Sequence, residues 1–440
     1  MKNNPAKISR IYERDLIRKI NPYLNKKEII SVIGPRQSGK TTILQYYFRY
    51  LTDKNKKCLF LTFEKKSDLE VFEKDIENFK KLYVLPYDVV FIDEFQYAQE
   101  AGQKLKYLYD TTNVKFLISG SSSLKIKEIG KYLVGRVFTF YLYPFSFAEF
   151  LKAKNKPIFE IVKPVFNSIT QLFTRKKFTN FVDPIKSDSL KKILIDLFYQ
   201  YLIFGGYPRV LNAKNEEEKK LVLSSIGDNY LLREIRSLLN LATENELLLL
   251  AKFLSLQVGN LISYTELSNH THLSYNEVKR HIKILEETFI LDQVLPFFRN
   301  KRTELVKNPK VYFIDTGFRN YIINNFSKVS ERNDIGALAE NFVFATLKEA
   351  SINISSINFW RTKSQAEVDF VAEIQGGIIP VEVKYAPLGK GVIGKSLFSF
   401  IDKYQPEKAI VTTNDSFGKR RVGKTTVYFI PIFYFSMIDE

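Results

Sequence analysis

Residues 34 to 42 read Gly-Pro-Arg-Gln-Ser-Gly-Lys-Thr-Thr, a GxxxxGK[ST] pattern between a short apolar run, Glu28 to Ile33, and a stretch with helical spacing. Glycines let such a loop wrap closely round phosphates, while its amides and the helix N-terminus that follows supply positive potential. Gly34, Pro35, Arg36, Gln37, Ser38, Gly39, Lys40, Thr41 and Thr42 are the expected phosphate-binding residues; Lys40 would reach the terminal phosphates and the Thr41 hydroxyl would ligate magnesium. A loop of this kind calls for an acidic residue at the end of another buried strand. The run Val-Val-Phe-Ile-Asp-Glu supplies Asp93 to hold the metal through water and Glu94 to polarise the attacking water. A third apolar run, KFLISG, brings Ser119 to the same level, as a candidate contact to the terminal phosphate or the attacking water; a serine-rich turn is the alternative.

A second constellation lies near the C-terminus. Glu340 sits on an apolar helical pattern (ALAENFVFATL), and two strand-like runs follow, Glu-Val-Asp ending at Asp369 and Val-Glu-Val-Lys ending at Lys384. Strand periodicity puts Glu382 and Lys384 on one face. Asp369 precedes Glu382 by thirteen residues with Gly376-Gly377 between, so a hairpin presents Asp369, Glu382 and Lys384 together. This pattern resembles the PD-(D/E)XK nuclease core, with a degenerate first motif. The resemblance implies magnesium on Asp369 and Glu382, Lys384 steadying the nucleophile or developing charge, and Glu340 assisting. The alternative is a nuclease-like fold kept as a binding module.

Between these sites the order helix, turn, helix, hairpin suggests a winged helix. A helix from about Tyr275 to Thr288 opens on a capping box, Ser274 to Glu277, and turns Asn276, Lys279, Arg280 and Lys283 outward with Ile282 and Leu285 inward. The segment between the hairpin strands adds Arg299, Lys301, Arg302, Lys307 and Lys310 against Glu304. A basic helix with a basic wing fits contact with DNA phosphates, and a protein-contact module is the alternative. Lys plus Arg number 66 against 48 Asp plus Glu, a net charge of +18 that favours phosphate-bearing partners.

Strand-like runs alternating with helical segments place an α/β unit with a parallel sheet in the first 150 residues. Residues 8 to 150 resemble the prokaryotic AAA-type ATPases through GPRQSGKTT, VVFIDEFQ, ISGSSS, then Gly135-Arg136 and FYLYPFSFAEF. The resemblance implies ATP as cofactor and Arg136 as an arginine finger completing a neighbour's site, which leaves a homo-oligomer open; a structural salt bridge is the alternative for Arg136. With the later segments, the chain is similar to an archaeal-type ATPase family of four parts. The expected domains are an ATPase domain (1–150), a basic insertion or linker (151–192), a helical lid (193–243), a winged helix (244–325) and a restriction-endonuclease-like α/β domain (326–440). The linker carries ten Lys or Arg against three Asp or Glu. The expected function is a magnesium-dependent ATPase that binds DNA and cleaves or clamps it; a nucleotide-controlled protein-interaction switch is the alternative.

A single cysteine, Cys58, excludes an internal disulfide, and the three histidines, confined to His270–His281, lack the partners of a zinc site. With no apolar signal core and no run of about 18 apolar residues, the reading is a cytoplasmic protein without a membrane partner. Trp360-Arg361 either contacts nucleic acid or places the tryptophan in a core.

Overall fold

The strand-like runs of the first 150 residues all form strands, and their order explains how distant residues meet. The structure, a computed structural model, describes residues 12–121, 131–174, 182–227, 244–298, 308–350, 354–385 and 392–438. Packing divides the chain into two units, Met1–Pro144 with Glu287–Phe289, and Phe145–Glu286 with Ile290–Glu440.

In the first unit β1 (Ile29–Ile33), β2 (Cys58–Thr62), β3 (Val89–Asp93), β4 (Lys115–Gly120) and β5 (Val137–Tyr141) form a parallel sheet in the order β2-β3-β4-β1-β5. Helices α1 (Asp15–Ile20), α2 (Lys40–Asp53), α3 (Lys66–Lys74), α4 (Ile76–Phe79) and α5 (Ala101–Thr111) accompany it. Alternate strand residues feed separate cores: Ile29, Ile33, Val90, Ile92, Phe116 and Ile118 into one, Ile30, Val32, Phe91 and Leu117 into the other. Burial on both faces explains why these strands read as continuous apolar runs. The order also places β4 between β1 and β3, so the loops after all three open at one edge.

The second unit begins with α6 (Phe147–Lys154), entered through a capping box of Ser146 and Glu149, and α7 (Lys156–Leu172). The stretch expected as a basic insertion or linker is therefore largely helix. Ile158, Phe159, Val162, Val165, Phe166, Ile169 and Leu172 are buried along one stripe of α7, while its cations lie on the remaining faces. Next come α8 (Asp188–Phe204), α9 (Pro208–Asn212), α10 (Glu216–Gly227), α11 (Glu244–Leu256), α12 (Tyr264–Thr271) and α13 (Tyr275–Glu287). Gly205, after α8, has φ +74°, and a Cβ there would lie 2.1 Å from Asp315 Oδ1, so the turn needs glycine on both counts.

Strands β6 (Leu291–Pro296) and β7 (Lys310–Phe313) pair antiparallel, followed by α14 (Thr316–Ile322), α15 (Ile335–Glu349), β8 (Ile354–Arg361), β9 (Glu367–Ile374), β10 (Gly377–Val383), α16 (Lys395–Tyr404), β11 (Lys408–Thr413), β12 (Gly418–Val422) and β13 (Thr425–Pro431). One mixed eight-stranded sheet results, in the order β12-β13-β11-β10-β9-β8-β6-β7. The boundary expected at 325/326 falls inside this sheet. The free edge of β6 is satisfied by β8, with Leu295 opposite Asn358 and Pro296 opposite Phe359, so the hairpin and the C-terminal strands form one element. Among the described residues no helix is long and apolar enough to cross a membrane.

Candidate nucleotide site and carboxylate cluster

The loop after β1 packs so tightly that its first residue has to lack a side chain: a Cβ on Gly34 would lie 2.0 Å from the Leu142 carbonyl oxygen. Gly39 turns the chain into α2 at φ +103°. Lys40 is buried and donates from Nζ to the carbonyls of Gly34 (3.0 Å) and Pro35 (2.8 Å). Burial pushes its ammonium below the usual range, against the raising effect of Glu94 and Asp93. The buried Ser38 hydroxyl has no hydrogen-bond partner among the described residues, as suits a loop built to meet phosphate oxygens. Arg36 donates to Tyr97 Oη at 2.5 Å, and Pro35, Gln37 and Thr42 lie along the loop and first turn.

Strand β3 brings Asp93 to this loop. Thr41 Oγ1 donates to Asp93 Oδ2 at 2.7 Å, and Ser119 Oγ donates to Asp93 Oδ1. Burial raises the Asp93 carboxyl above its usual range, and the Ser119 and Thr41 hydroxyls pull it back. Ser119 is fully buried and also accepts from the Glu94 amide at 3.2 Å. Its hydroxyl is thus bonded to both members of the acidic pair.

Three further residues join here that sequence reasoning missed. Gln96 and Ser121 contact the Glu94 carboxylate. Arg14, buried before α1, donates to the Ser38 carbonyl at 2.9 Å and to the Tyr143 carbonyl at 2.7 Å, bracing the loop from below. Nothing in the local pattern around Arg14 signals this role.

Arg136 lies at the other end of the sheet. Its carbonyl accepts from Ile29 N, at the start of β1, whereas the phosphate loop follows the end of that strand. Its guanidinium makes a two-pronged pair with Asp110, at 2.8 and 3.3 Å. The structure thus forms the salt bridge and does not bring Arg136 to the phosphate loop of its own unit.

In the second unit the helix α15 and strands β9 and β10 assemble the C-terminal carboxylates. Asp369 Oδ2 accepts from the Val383 amide at 2.6 Å, Lys384 Nζ lies 2.9 Å from Glu382 Oε1, and Tyr312 donates to Glu340 Oε2 at 3.1 Å. Burial, followed by the Asp369 charge, pushes Glu340 up to about 8; burial pushes Asp369 up to about 6. Lys384 is raised: burial lowers it, and the carboxylates of Glu382, Asp369 and Glu340 outweigh that.

Lys310 corrects the wing reading. Instead of joining an exposed basic surface it is 1% exposed on β7, bonded to Glu367, which Arg361 also reaches at 3.2 Å. Strand periodicity sets Lys310 and Tyr312 on one face of β7 and Glu367 and Asp369 on one face of β9, but only the sheet order, which no local pattern gives, brings the two strands' residues together. Among the described residues no group of three or more His, Cys, Asp or Glu is arranged to hold a metal ion. Of the oxygens expected to hold magnesium, Asp369 Oδ2 takes the Val383 amide and Glu382 Oε1 takes Lys384. Glu382 Oε2 is buried without a hydrogen-bond partner among the described residues.

On α13, Asn276, Lys279, Arg280 and Lys283 are all exposed, and Val278, Ile282 and Leu285 are buried. The capping box forms, with Glu277 N donating to Ser274 Oγ at 3.3 Å and Ser274 N to Glu277 Oε2 at 2.8 Å. Lys279 Nζ stands 4.6 Å from the Tyr275 ring centre and 5.2 Å from that of Tyr264, and Lys283 pairs with Glu286 at 3.2 Å. Arg299, Lys301, Arg302 and Lys307 lie outside the described residues. Trp360 is 3% exposed and packs edge-on against Phe400, so it belongs to the core.

Three family models match the chain, one within residues 26–151 and two after it. Residues 26–151 match the AAA domain family AAA_14, and residues 195–329 and 335–435 match the domains of unknown function DUF8612 and DUF4143. An uncharacterized protein of Haemophilus influenzae is 25% identical over 380 residues, covering 81% of this chain and 83% of its own. Another from Methanocaldococcus jannaschii is 25% identical over 379 residues, with 83% and 76% covered. A third, from Mycobacterium tuberculosis, is 23% identical over 379 residues, with 85% and 74% covered. Similar chains thus occur in bacteria as well as archaea. Among solved structures, replication initiator DnaA bound to AMPPCP and single-stranded DNA covers 64% of this chain and 90% of its own, at 14% identity and a TM-score of 0.28. The chain carries an AAA-type P-loop ATPase domain and, at its C-terminus, a DUF4143 domain.

Proposed function

We propose that the first unit hydrolyses ATP with magnesium, that α13 forms the recognition helix of a winged helix that binds DNA, and that the C-terminal sheet is a nuclease-like binding module that does not cut. The observation that supports hydrolysis best is the 2.7 Å bond from Thr41 to Asp93, which sets a P-loop hydroxyl and a strand-end carboxylate side by side. The loop amides and Lys40 would hold the phosphates, and Thr41 and Asp93 would hold magnesium. Bound there, the ion neutralises charge on the phosphate oxygens. Ser119 fixes the Asp93 carboxylate, and Glu94 accepts the proton of the attacking water at its own carboxylate. Lys40→Ala should abolish nucleotide binding. Glu94→Gln should preserve binding and abolish turnover; turnover at the wild-type rate in Glu94→Gln would sink the reading.

The exposed cations of α13, with two tyrosine rings beneath Lys279, support contact with DNA. The lysines, tyrosine and amide that serve the C-terminal carboxylates support a module without metal chemistry. Cleavage of DNA by the wild-type chain with magnesium or manganese, lost in Asp369→Ala, would overturn that part.

A further inference from the structure

Glu94 leaves β3 in the left-handed region, at φ 54° and ψ 46°, a conformation that strains a residue with a side chain and persists only where its surroundings hold it. Here the holding groups can be named. The Glu94 amide is bonded to Ser119, and its Oε2 accepts from Gln96 Nε2 and from Ser121 Oγ at 3.4 Å. Gln96 is 5% exposed and sits in the turn Phe95–Tyr97 directly after Glu94.

The amide of Gln96 has only one workable orientation. Its Oε1 accepts from the Ser121 backbone N–H at 3.3 Å, a group that only donates, so the NH2 is directed to the Glu94 carboxylate and to Ser121 Oγ at 2.9 Å. A neutral, buried, double donor therefore holds a carboxylate that itself needs to accept a proton from water. Ser121 lies one residue past the end of β4, the strand whose Ser119 holds Asp93. Both acidic residues are thus referenced to the same strand end, two residues apart along it.

From this arrangement we infer that Gln96 is a positioning residue for ATP hydrolysis: together with Ser121 it fixes the Glu94 carboxylate in the direction from which it takes the water proton. The inference rests on the assignment of Glu94 as the base. Gln96 touches neither nucleotide nor metal in this account, so its loss acts through Glu94 on the chemical step and spares binding.

The test measures steady-state ATP hydrolysis, equilibrium binding of a nonhydrolysable ATP analogue and thermal unfolding on the full chain. Gln96→Ala should lower kcat by about tenfold to a hundredfold, as for a base displaced by about 1 Å, with analogue affinity and melting temperature unchanged. Gln96→Glu has the same shape but sets one carboxylate against another, so it should lose at least as much kcat as Gln96→Ala. A residue that merely fills space would show the reverse order. Ser121→Ala removes one hydroxyl contact and leaves its N–H, so its loss should be smaller. Wild-type kcat in Gln96→Ala, or a fall in kcat matched by equal falls in affinity and melting temperature, would overturn the inference. Inactive Glu94→Gln beside normal Gln96→Ala would overturn the positioning role alone, whereas active Glu94→Gln would overturn the base assignment and the positioning role together.

Discussion

Replacing Lys310 with methionine removes a buried ammonium while keeping a flexible apolar stem of similar length, so the change isolates charge. Lys310 is bonded to Glu367, and its charge is what most opposes the rise of Asp369 and, after burial and Asp369, a main influence on Glu340. Breaking a buried pair by removing one partner costs about 3–5 kcal/mol. Glu367 is 26% exposed and keeps Arg361, which favours the lower end, about 3 kcal/mol. In a unit of this size that corresponds to a fall of roughly 5 °C in its unfolding transition. The deficit should depend on pH with a definite sign. Glu340 and Asp369 titrate at about 8 and about 6 in the folded chain, above the usual carboxyl range, so the folded state binds more protons and stability falls as pH rises through those values. Without Lys310 both carboxyls rise further and protonation relieves part of the damage, so the deficit should be smaller at pH 6 than at pH 9. Calorimetry of the full chain at both pH values measures this. Equal losses at the two, or no loss at pH 9, would refute the charge argument.

Gly34→Ala sets a Cβ against the Leu142 carbonyl, which has to move at a cost of about 1–3 kcal/mol; analogue titration should show weakened nucleotide binding, and wild-type affinity would contradict the close-packed loop. Lys279→Ala with Arg280→Ala removes two exposed cations, so the slope of log affinity for duplex DNA against log salt should shrink by about 2, whereas an unchanged slope favours a protein partner for α13. Arg136→Ala breaks a solvent-screened exposed pair and should leave turnover intact. A fall of more than about tenfold, with turnover that rises with protein concentration, would instead assign Arg136 to a neighbour's site.

The phosphate loop and its acidic partner were legible because β1, β3 and β4 are buried on both faces and each ends in a residue type with few other uses there. Strand β5 was not, because VFTFY is an edge strand with partly exposed residues and its aromatics carry no clear period. In α7 the prolines and the excess of cations masked an apolar stripe that packing makes plain. Gln96 and Ser121 lie beyond the reach of periodicity, since their meeting depends on the left-handed turn at Glu94 and on the adjacency of β3 and β4. Asp369, Glu382 and Lys384 could be grouped from strand spacing, and Glu340 was joined to them only by the resemblance to the nuclease core; Lys310 could not be added, because that required knowing that the hairpin β6–β7 continues the C-terminal sheet.

The central claim, that this P-loop unit binds and hydrolyses ATP through Lys40, Thr41, Asp93 and Glu94, is tested most directly by a crystal structure with magnesium and a nonhydrolysable ATP analogue. The account predicts that Lys40 Nζ leaves the carbonyls of Gly34 and Pro35 for the terminal phosphates, that Thr41 and Asp93 flank the metal, and that Glu94 faces the terminal phosphate. An analogue bound elsewhere, or Lys40 still on those carbonyls with the analogue in the loop, would contradict it.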